Sequence, residues 1–341
     1  MKKYINVAIA GATGYIGVEL IKLLVKHPRV KIKNICAQGS VGESINKFDP
    51  LLKKEMLPKI TNLNTVNFDN IDILFTALPN GEAQKVSKKL NPKVKLIDLS
   101  ADFRLESPKN YKKWYDITHK SKNLIKHSIY SIPELINVKL NKFRIIACPG
   151  CYPTSIQIPL VPIIKNKLIN TKNIIIDSKS GYSGAGKNLH KKFKFKNIYE
   201  SISAYGVGSH KHMAEIDQQL KKISKNKVNV QFTPHLSPMF RGILSTIYVN
   251  LNKNISVKKI YNFLKKYYKN KYFVKFAKFN TPIGTGDIIN TNFCKISVCY
   301  DRKRNKAIIL STIDNLIKGG SGQAMQNMNL LCGFNEQLGF K

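Results

Sequence analysis

Residues 5–17 read Ile5-Asn6-Val7-Ala8-Ile9-Ala10-Gly11-Ala12-Thr13-Gly14-Tyr15-Ile16-Gly17, and Val18-Glu19-Leu20-Ile21-Lys22-Leu23-Leu24 follows. Ile5 to Ala10 is a near-continuous apolar run that ends on glycine, the pattern of a buried strand. Residues 18–24 repeat apolar side chains at helical spacing. Strand, glycine turn and helix in that order is the setting a dinucleotide-binding turn requires. The early glycines let the backbone approach a pyrophosphate, and the helix N-terminus supplies N–H donors. The spacing is G-x-x-G-x-x-G, a departure from the commoner G-x-G-x-x-G. Its place on the first strand argues against a turn that is only structural.

Further strands are expected at 30–35, 71–77 and 94–99. After the second comes Cys36-Ala37-Gln38-Gly39-Ser40. An NAD site usually carries an acid here for the ribose 2′-hydroxyl, whereas Ser40 offers a bond to a 2′-phosphate, so the reading favours NADP. The next two strands end in Leu78-Pro79-Asn80-Gly81 and Ser100-Ala101-Asp102-Phe103-Arg104. Ligands of open α/β sheets gather at such carboxyl ends. Arg104 is therefore a candidate to grip a phosphate or carboxylate, with a surface salt bridge as the alternative.

Near mid-chain, the apolar run 143–147 leads into Cys148-Pro149-Gly150-Cys151-Tyr152-Pro153-Thr154-Ser155. Pro149-Gly150 forces a tight turn, Pro153 suits the first position of a helix, and residues 156–161 read as a short helix interrupted by proline. A thiol at such a turn faces free N–H groups and the positive end of a helix dipole, which favour the thiolate. Cys151 is the candidate nucleophile; the alternative is a buried cysteine beside a structural turn.

From about residue 170 the pattern changes to strands at 174–177, 243–249, 296–300 and 307–311, with an amphipathic helix over 256–270. Gly319-Gly320-Ser321-Gly322 opens a helix from Gln323 to Leu331 that is expected to return to the first domain. Two polar stretches stand out in this half. Ser180-Gly181-Tyr182-Ser183-Gly184-Ala185-Gly186-Lys187 is a donor-rich loop without Walker A spacing. Gly208-Ser209-His210-Lys211-His212-Met213-Ala214-Glu215 sets two histidines at the start of a helix, where a cysteine nucleophile needs a base. The alternatives are a surface histidine pair, a metal site using His210, His212 and Glu215 with the two cysteines, or a Cys148/Cys151 dithiol.

The chain has 341 residues, which sets two domains as the expectation. Six scattered cysteines do not form a disulfide framework, and no apolar run approaches a membrane span, so the expected setting is soluble and cytoplasmic. The formal net charge of +37 is spread evenly as lysine, amid abundant isoleucine and asparagine. That is the mark of base-composition bias and argues against nucleic-acid binding as the main function. Pairs such as Lys191-Lys192 and Lys265-Lys266 read as solvated faces.

Taken together, GATGYIG, ALPNG, LIDLSADFRL, YSIPEL, PGCYPT, KSGYSGAG, SHKHMAEI, FTPHLSPMFRGIL, NFCKISV and IDNLIKGGSGQAMQNMNL resemble the N-acetyl-gamma-glutamyl-phosphate reductases, within the aspartate-semialdehyde dehydrogenase-like group. The resemblance implies an α/β fold: a Rossmann domain over 1–150 plus 314–341 and a mixed α/β (α+β) catalytic domain over 151–313, with the C-terminal helix returning to the first. It implies an NADPH-dependent reduction of N-acetyl-L-glutamyl 5-phosphate through a thioester on Cys151. His210 is the expected acid–base group, with His212 as its alternate. Gly11, Thr13, Gly14, Gly17, Ser40, Pro79 and Asn327 are expected at the cofactor, the last at the nicotinamide carboxamide. Arg104, Ser180 and Arg241 are expected at the substrate. A homo-oligomer, dimer or tetramer, without metal, membrane or nucleic-acid partner, completes the expectation. The sequence departs from the family where Gln38 replaces a common arginine, Asn80 a frequent histidine and Cys148 a frequent asparagine.

Overall fold

The computed structural model describes residues 4–187, 199–224, 227–302 and 305–340, so the Lys191-Lys192 pair lies outside the described residues. The chain divides into two compact units, Met1–Pro149 with Gly320–Lys341, and Gly150–Gly319. Residues 314–319, which the sequence reading joins to the first domain, belong to the second unit.

The first unit is a parallel sheet of β1 (Ile5–Ala10), β2 (Val30–Cys36), β3 (Ile60–Thr61), β4 (Ile73–Thr76), β5 (Lys95–Asp98), β6 (Ser128–Tyr130) and β7 (Ile145–Ala147). Its order is β3-β2-β1-β4-β5-β7-β6, and every neighbouring pair is parallel. The order reverses between β1 and β4, the switch point at which doubly wound sheets bind ligands. Helices α1 (Tyr15–Leu24), α2 (Glu82–Lys89), α3 (Pro108–Tyr115) and the short α4 (Lys122–Ile125) connect the strands. β1 and β4 are buried along nearly their whole length, because parallel strands between two layers have no wet face.

The second unit holds a mixed sheet of β8 (Ile169–Gly181), β9 (Ser203–Ala204), β10 (Val230–Ser237), β11 (Ile243–Leu251), β12 (Val274–Phe276), β13 (Cys294–Tyr300) and β14 (Lys306–Ile313), in the order β12-β13-β14-β11-β8-β10-β9. Its helices are α5 (Cys151–Lys165), α6 (Met213–Ile223) and α7 (Val257–Tyr267). α5 packs on β8, β11, β13 and β14, and both α6 and α7 pack on α5. Alternation then fixes the two faces of the sheet. Ile174, Ile176, Ile247, Val249, Val298, Ala307 and Ile309 are buried under the helices. The register sets Ile175, Tyr248, Ile308 and Cys299 in one row across four strands on the opposite face. Ile175 and Tyr248 are each 40% exposed there. The chain returns to the first unit in α8 (Gly322–Leu331), whose Ala324, Met325, Met328 and Leu331 join the core beneath β1 and β4.

One expectation is corrected. The short, proline-broken helix over 156–161 is a fifteen-residue helix from Cys151 to Lys165 with Pro159 and Pro162 inside it. Pro153 occupies its third position, where a missing N–H costs nothing because first-turn donors have no partner in the helix. Pro162 cannot bond the carbonyl of Ile158, and the hydroxyl of Tyr268 takes that carbonyl instead. Buried hydroxyls tie the helix to the sheet: Ser155 bonds Ser245 at 2.7 Å, and Ser245 bonds Ser178 at 2.7 Å. Tyr268→Phe is expected to strand the Ile158 carbonyl and cost about 1–3 kcal/mol. Urea unfolding measures this, and an unchanged midpoint would show that the proline-freed carbonyl needs no partner.

Candidate active site

The backbone around Cys148 to Gly150 is held on both sides of the unit boundary. In the first unit the Cys148 N–H donates to the Asp98 carbonyl at 2.7 Å, and Arg104 Nε donates to the Cys148 carbonyl at 2.8 Å. Arg104 Nη2 donates to the Leu99 carbonyl at 2.8 Å. In the second unit the Gly150 N–H donates to Glu215 Oε2 at 2.9 Å, and the Gly150 carbonyl accepts the Thr154 N–H and hydroxyl. The next residue, Cys151, is the first of α5. It stands at the positive end of a long helix with no acid in its first turn.

The two cysteines differ in environment. Cys148 is 1% exposed, and burial pushes its thiol up to about 12 despite a 3.7 Å contact from the Asn327 amide. A thiolate is disfavoured there, which argues against Cys148 as a nucleophile. Cys151 is half-buried. Its Cβ packs against Gly319, where an added methyl would come within 2.6 Å.

Both histidines lie on the nucleophile's side of the second unit. The ring of His212 rests on Gly150, where an added Cβ would fall 2.3 Å from Nε2. His212 Nε2 is also 3.9 Å from Oε1 of Glu215. The His212 N–H donates to Nδ1 of His210 at 3.2 Å, so the neutral His210 ring carries its proton on Nε2. His210 is packed edge-on among Tyr152, Tyr205, Phe232 and His212. Burial, then the neighbouring His212, pushes it down to about 3. Burial therefore favours the neutral ring of His210. Tyr205 donates to the Tyr152 hydroxyl at 3.1 Å, and burial raises both phenols above their ordinary range.

Arg241 lies just before β11. Its Nη1 donates to Asn290 Oδ1 at 2.6 Å and to Asp314 Oδ2 at 3.2 Å, with 11% of the side chain exposed. Oδ1 of Asp314 accepts the N–H groups of Leu316 and Ile317, so this one carboxylate fixes both the arginine and the turn that carries Gly319 to Cys151. Ser180, expected to meet the substrate, is buried, and its hydroxyl bonds the Gly181 carbonyl and Tyr152. Arg104 is 8% exposed with its Nε and Nη2 on two carbonyls, so it fastens the turn. Sequence reasoning passed over Asp314 altogether and weighed Glu215 only as a metal ligand. An acid three residues past a helix N-cap was the available signal for Glu215.

In the first unit the glycine turn sorts into two kinds of glycine. Gly11, at φ +83°, could not carry a side chain, since a Cβ would strike the Ala77 carbonyl at 2.2 Å. A Cβ on Gly17 would meet the Gly11 carbonyl at 2.3 Å. At Gly14 the nearest atom would be 3.5 Å away, so the fold tolerates a methyl there. A glycine that packing does not demand, at the N-cap of α1 on the switch point, fits close approach by a pyrophosphate. Thr13 is half-exposed on the same turn, Ser40 follows β2, and Pro79 is exposed after β4. Asn327 is placed differently from expectation. It is fully enclosed, accepts from Ser131 Oγ at 2.6 Å and donates to the Ser131 carbonyl, so a nicotinamide would have to displace those partners. Asp102, on the loop after β5, accepts the N–H groups of Gly81 and Gln84 and thereby caps α2. Among the described residues no group of His, Cys, Asp and Glu is arranged to hold a metal ion, and no helix is long and apolar enough to cross a membrane.

A glycine-turn Rossmann unit and a second unit with a thiol at a helix N-terminus agree with the family comparison. Residues 6–143 match the semialdehyde dehydrogenase NAD binding domain, and residues 151–315 match the semialdehyde dehydrogenase dimerisation domain. The chain is 41% identical, over 99% of its length and 84% of the relative's, to a probable N-acetyl-gamma-glutamyl-phosphate reductase, chloroplastic, of Arabidopsis thaliana. It is 43% identical to the N-acetyl-gamma-glutamyl-phosphate reductase of Brachyspira hyodysenteriae, over 98% of this chain and 97% of that one. The chain belongs to the N-acetyl-gamma-glutamyl-phosphate reductase family. Aspartate semialdehyde dehydrogenase with NADP from Candida albicans shares the fold, with a TM-score of 0.68 over 96% of this chain and 98% of that one, at 17% identity.

Iodoacetamide at neutral pH is expected to alkylate Cys151 well before Cys148, as read by peptide mass spectrometry; modification of Cys148 first would contradict the assignment. Gly14→Ala is expected to leave the unfolding midpoint unchanged while weakening dinucleotide binding by about tenfold or more, roughly 1.4 kcal/mol. Gly11→Ala, by contrast, should lower the midpoint.

Proposed function

We propose that this protein converts N-acetyl-L-glutamyl 5-phosphate to N-acetyl-L-glutamate 5-semialdehyde and phosphate with NADPH, the arginine-biosynthetic step for which its relatives are named. The observation that carries this reading is Cys151 at the first position of α5, with the imidazole of His212 lying on the preceding residue. The sulfur of Cys151 bonds the acyl carbon while the bond from that carbon to the phosphate oxygen breaks, and phosphate leaves with the electron pair. The thioester on Cys151 is a better acceptor than a carboxylate and keeps the acyl carbon covalently in place. His212 takes the thiol proton and returns it when the sulfur is released with the aldehyde. The Nε2–H of His210, fixed by the bond to its Nδ1, is a preorganised donor for the acyl oxygen. Arg241, held by Asp314 and Asn290, is the cation for a substrate anion. The reduced nicotinamide, when bound, supplies the hydride.

The cofactor is held by the Gly11, Thr13, Gly14 and Gly17 turn with Ser40 and Pro79. The preference for NADP is supported by Ser40 and by the absence of an acid between Cys36 and Ser40, as well as by NADP in the Candida albicans relative. A homodimer through the face of the second sheet that carries Ile175 and Tyr248 is supported by that apolar row and by the dimerisation-domain match. A biosynthetic reductase with free thiols suits the reducing cytoplasm.

The test runs the reaction backwards: phosphate-dependent reduction of NADP by N-acetylglutamate semialdehyde, beside aspartate semialdehyde. Preference for the second aldehyde would move the protein to a sister reaction, and turnover without phosphate would reject acyl-phosphate chemistry. Cys151→Ala should lose all turnover while binding NADPH, and His212→Asn should lower kcat more than His210→Asn, by about 10²-fold or more. Tyr248→Glu is expected to shift the protein toward monomer in sedimentation; an unchanged oligomer would clear this face of the role.

A further inference from the structure

Glu215 occupies the third position of α6, counted from His212 at its N-cap. A glutamate there ordinarily folds back to the N–H of the N-cap residue and closes a capping box. Here that N–H is already taken by Nδ1 of His210. The Glu215 carboxylate, fully buried, is turned instead to a residue 65 positions away in sequence: Oε2 accepts the Gly150 N–H at 2.9 Å. Oε1 stands 3.9 Å from Nε2 of His212. Both oxygens thus face groups that border the nucleophile. Other titratable groups near His212 are His210, with ring centroids 4.8 Å apart, Tyr152 on α5, at 5.9 Å, and Cys151, which follows the glycine under the His212 ring. Glu215 faces His212 with a carboxylate, and it sits where its own helix dipole favours a negative charge.

We propose that Glu215 is a positioning residue for the thiol chemistry: its carboxylate fixes the backbone entering the nucleophile helix and presents a negative charge to His212. This rests on the reading of Cys151 as nucleophile and His212 as proton carrier. The two halves of the role separate chemically. Glu215→Gln keeps an acceptor for the Gly150 N–H and removes the charge. Glu215→Ala removes both.

The experiment follows the His212 ring by NMR across pH in the full-length protein, with kcat, KM and Gly150 amide exchange measured on the same samples. In Glu215→Gln the proton affinity of His212 should fall by about tenfold, as expected for loss of an adjacent opposite charge. Gly150 exchange should stay slow, and kcat should fall about 10-fold or more with KM unchanged. In Glu215→Ala, Gly150 exchange should also quicken. An unchanged His212 titration in Glu215→Gln, or unchanged kcat beside an altered titration, would overturn the proposal. A wild-type protein that reduces neither aldehyde would sink the functional reading alone, because the titration and the exchange are read without turnover.

Discussion

The structure turns on how the chain is fastened between Ala147 and Cys151. Three residues take it from the end of a buried parallel strand to the start of a long helix, and backbone groups that leave regular structure in a buried place need partners. Arg104 supplies one at the Cys148 carbonyl, Asp98 another at its N–H, and Glu215 a third at the Gly150 N–H. Each partner is buried, so none of these bonds competes with water. The helix dipole at Cys151 is useful only because the first turn is held at a fixed place by these bonds.

Environment, not residue type, divides the labour in this molecule. Cys148 and Cys151 are three residues apart, yet one is kept protonated by burial and the other stands at a helix N-terminus. His210 and His212 are two apart, yet one is an enclosed neutral donor and the other lies beside a carboxylate. The same holds for arginine: Arg104 is spent on carbonyls, whereas Arg241 is braced by a carboxylate and an amide. Burial and partner give the two members of each pair different chemical properties.

The first unit was legible because its signals are local. The apolar run of β1, the glycine turn and the period of α1 lie within twenty residues, and each agrees with the fold that formed. Cys151 and the histidine pair stand out for the same reason, as short local motifs. The length of α5 was not, since its prolines read as breaks and the hydroxyl that rescues the freed carbonyl comes from Tyr268, 110 residues away. Arg104, Ser180 and Asn327 carry the right functional groups for ligand contact, but only the fold brings the Cys148 carbonyl, Tyr152 and Ser131 to those groups. Glu215 announced itself as a helix-capping acid, and only the fold shows that its usual target was already occupied.

The two units are nested along the chain, the second interrupting the first. On the ribosome this sets an order. Gly150–Gly319 is contiguous, and all of it is synthesised before the chain returns to the first unit. The Rossmann sheet waits half-built, with the apolar surface that Ala324, Met325, Met328 and Leu331 will cover still open. The arrival of α8 is therefore the step that closes the first core. A chain that stops after Gly319 and before α8 would carry a complete second unit attached to a sticky, unfinished first one, a natural client for chaperones and proteases.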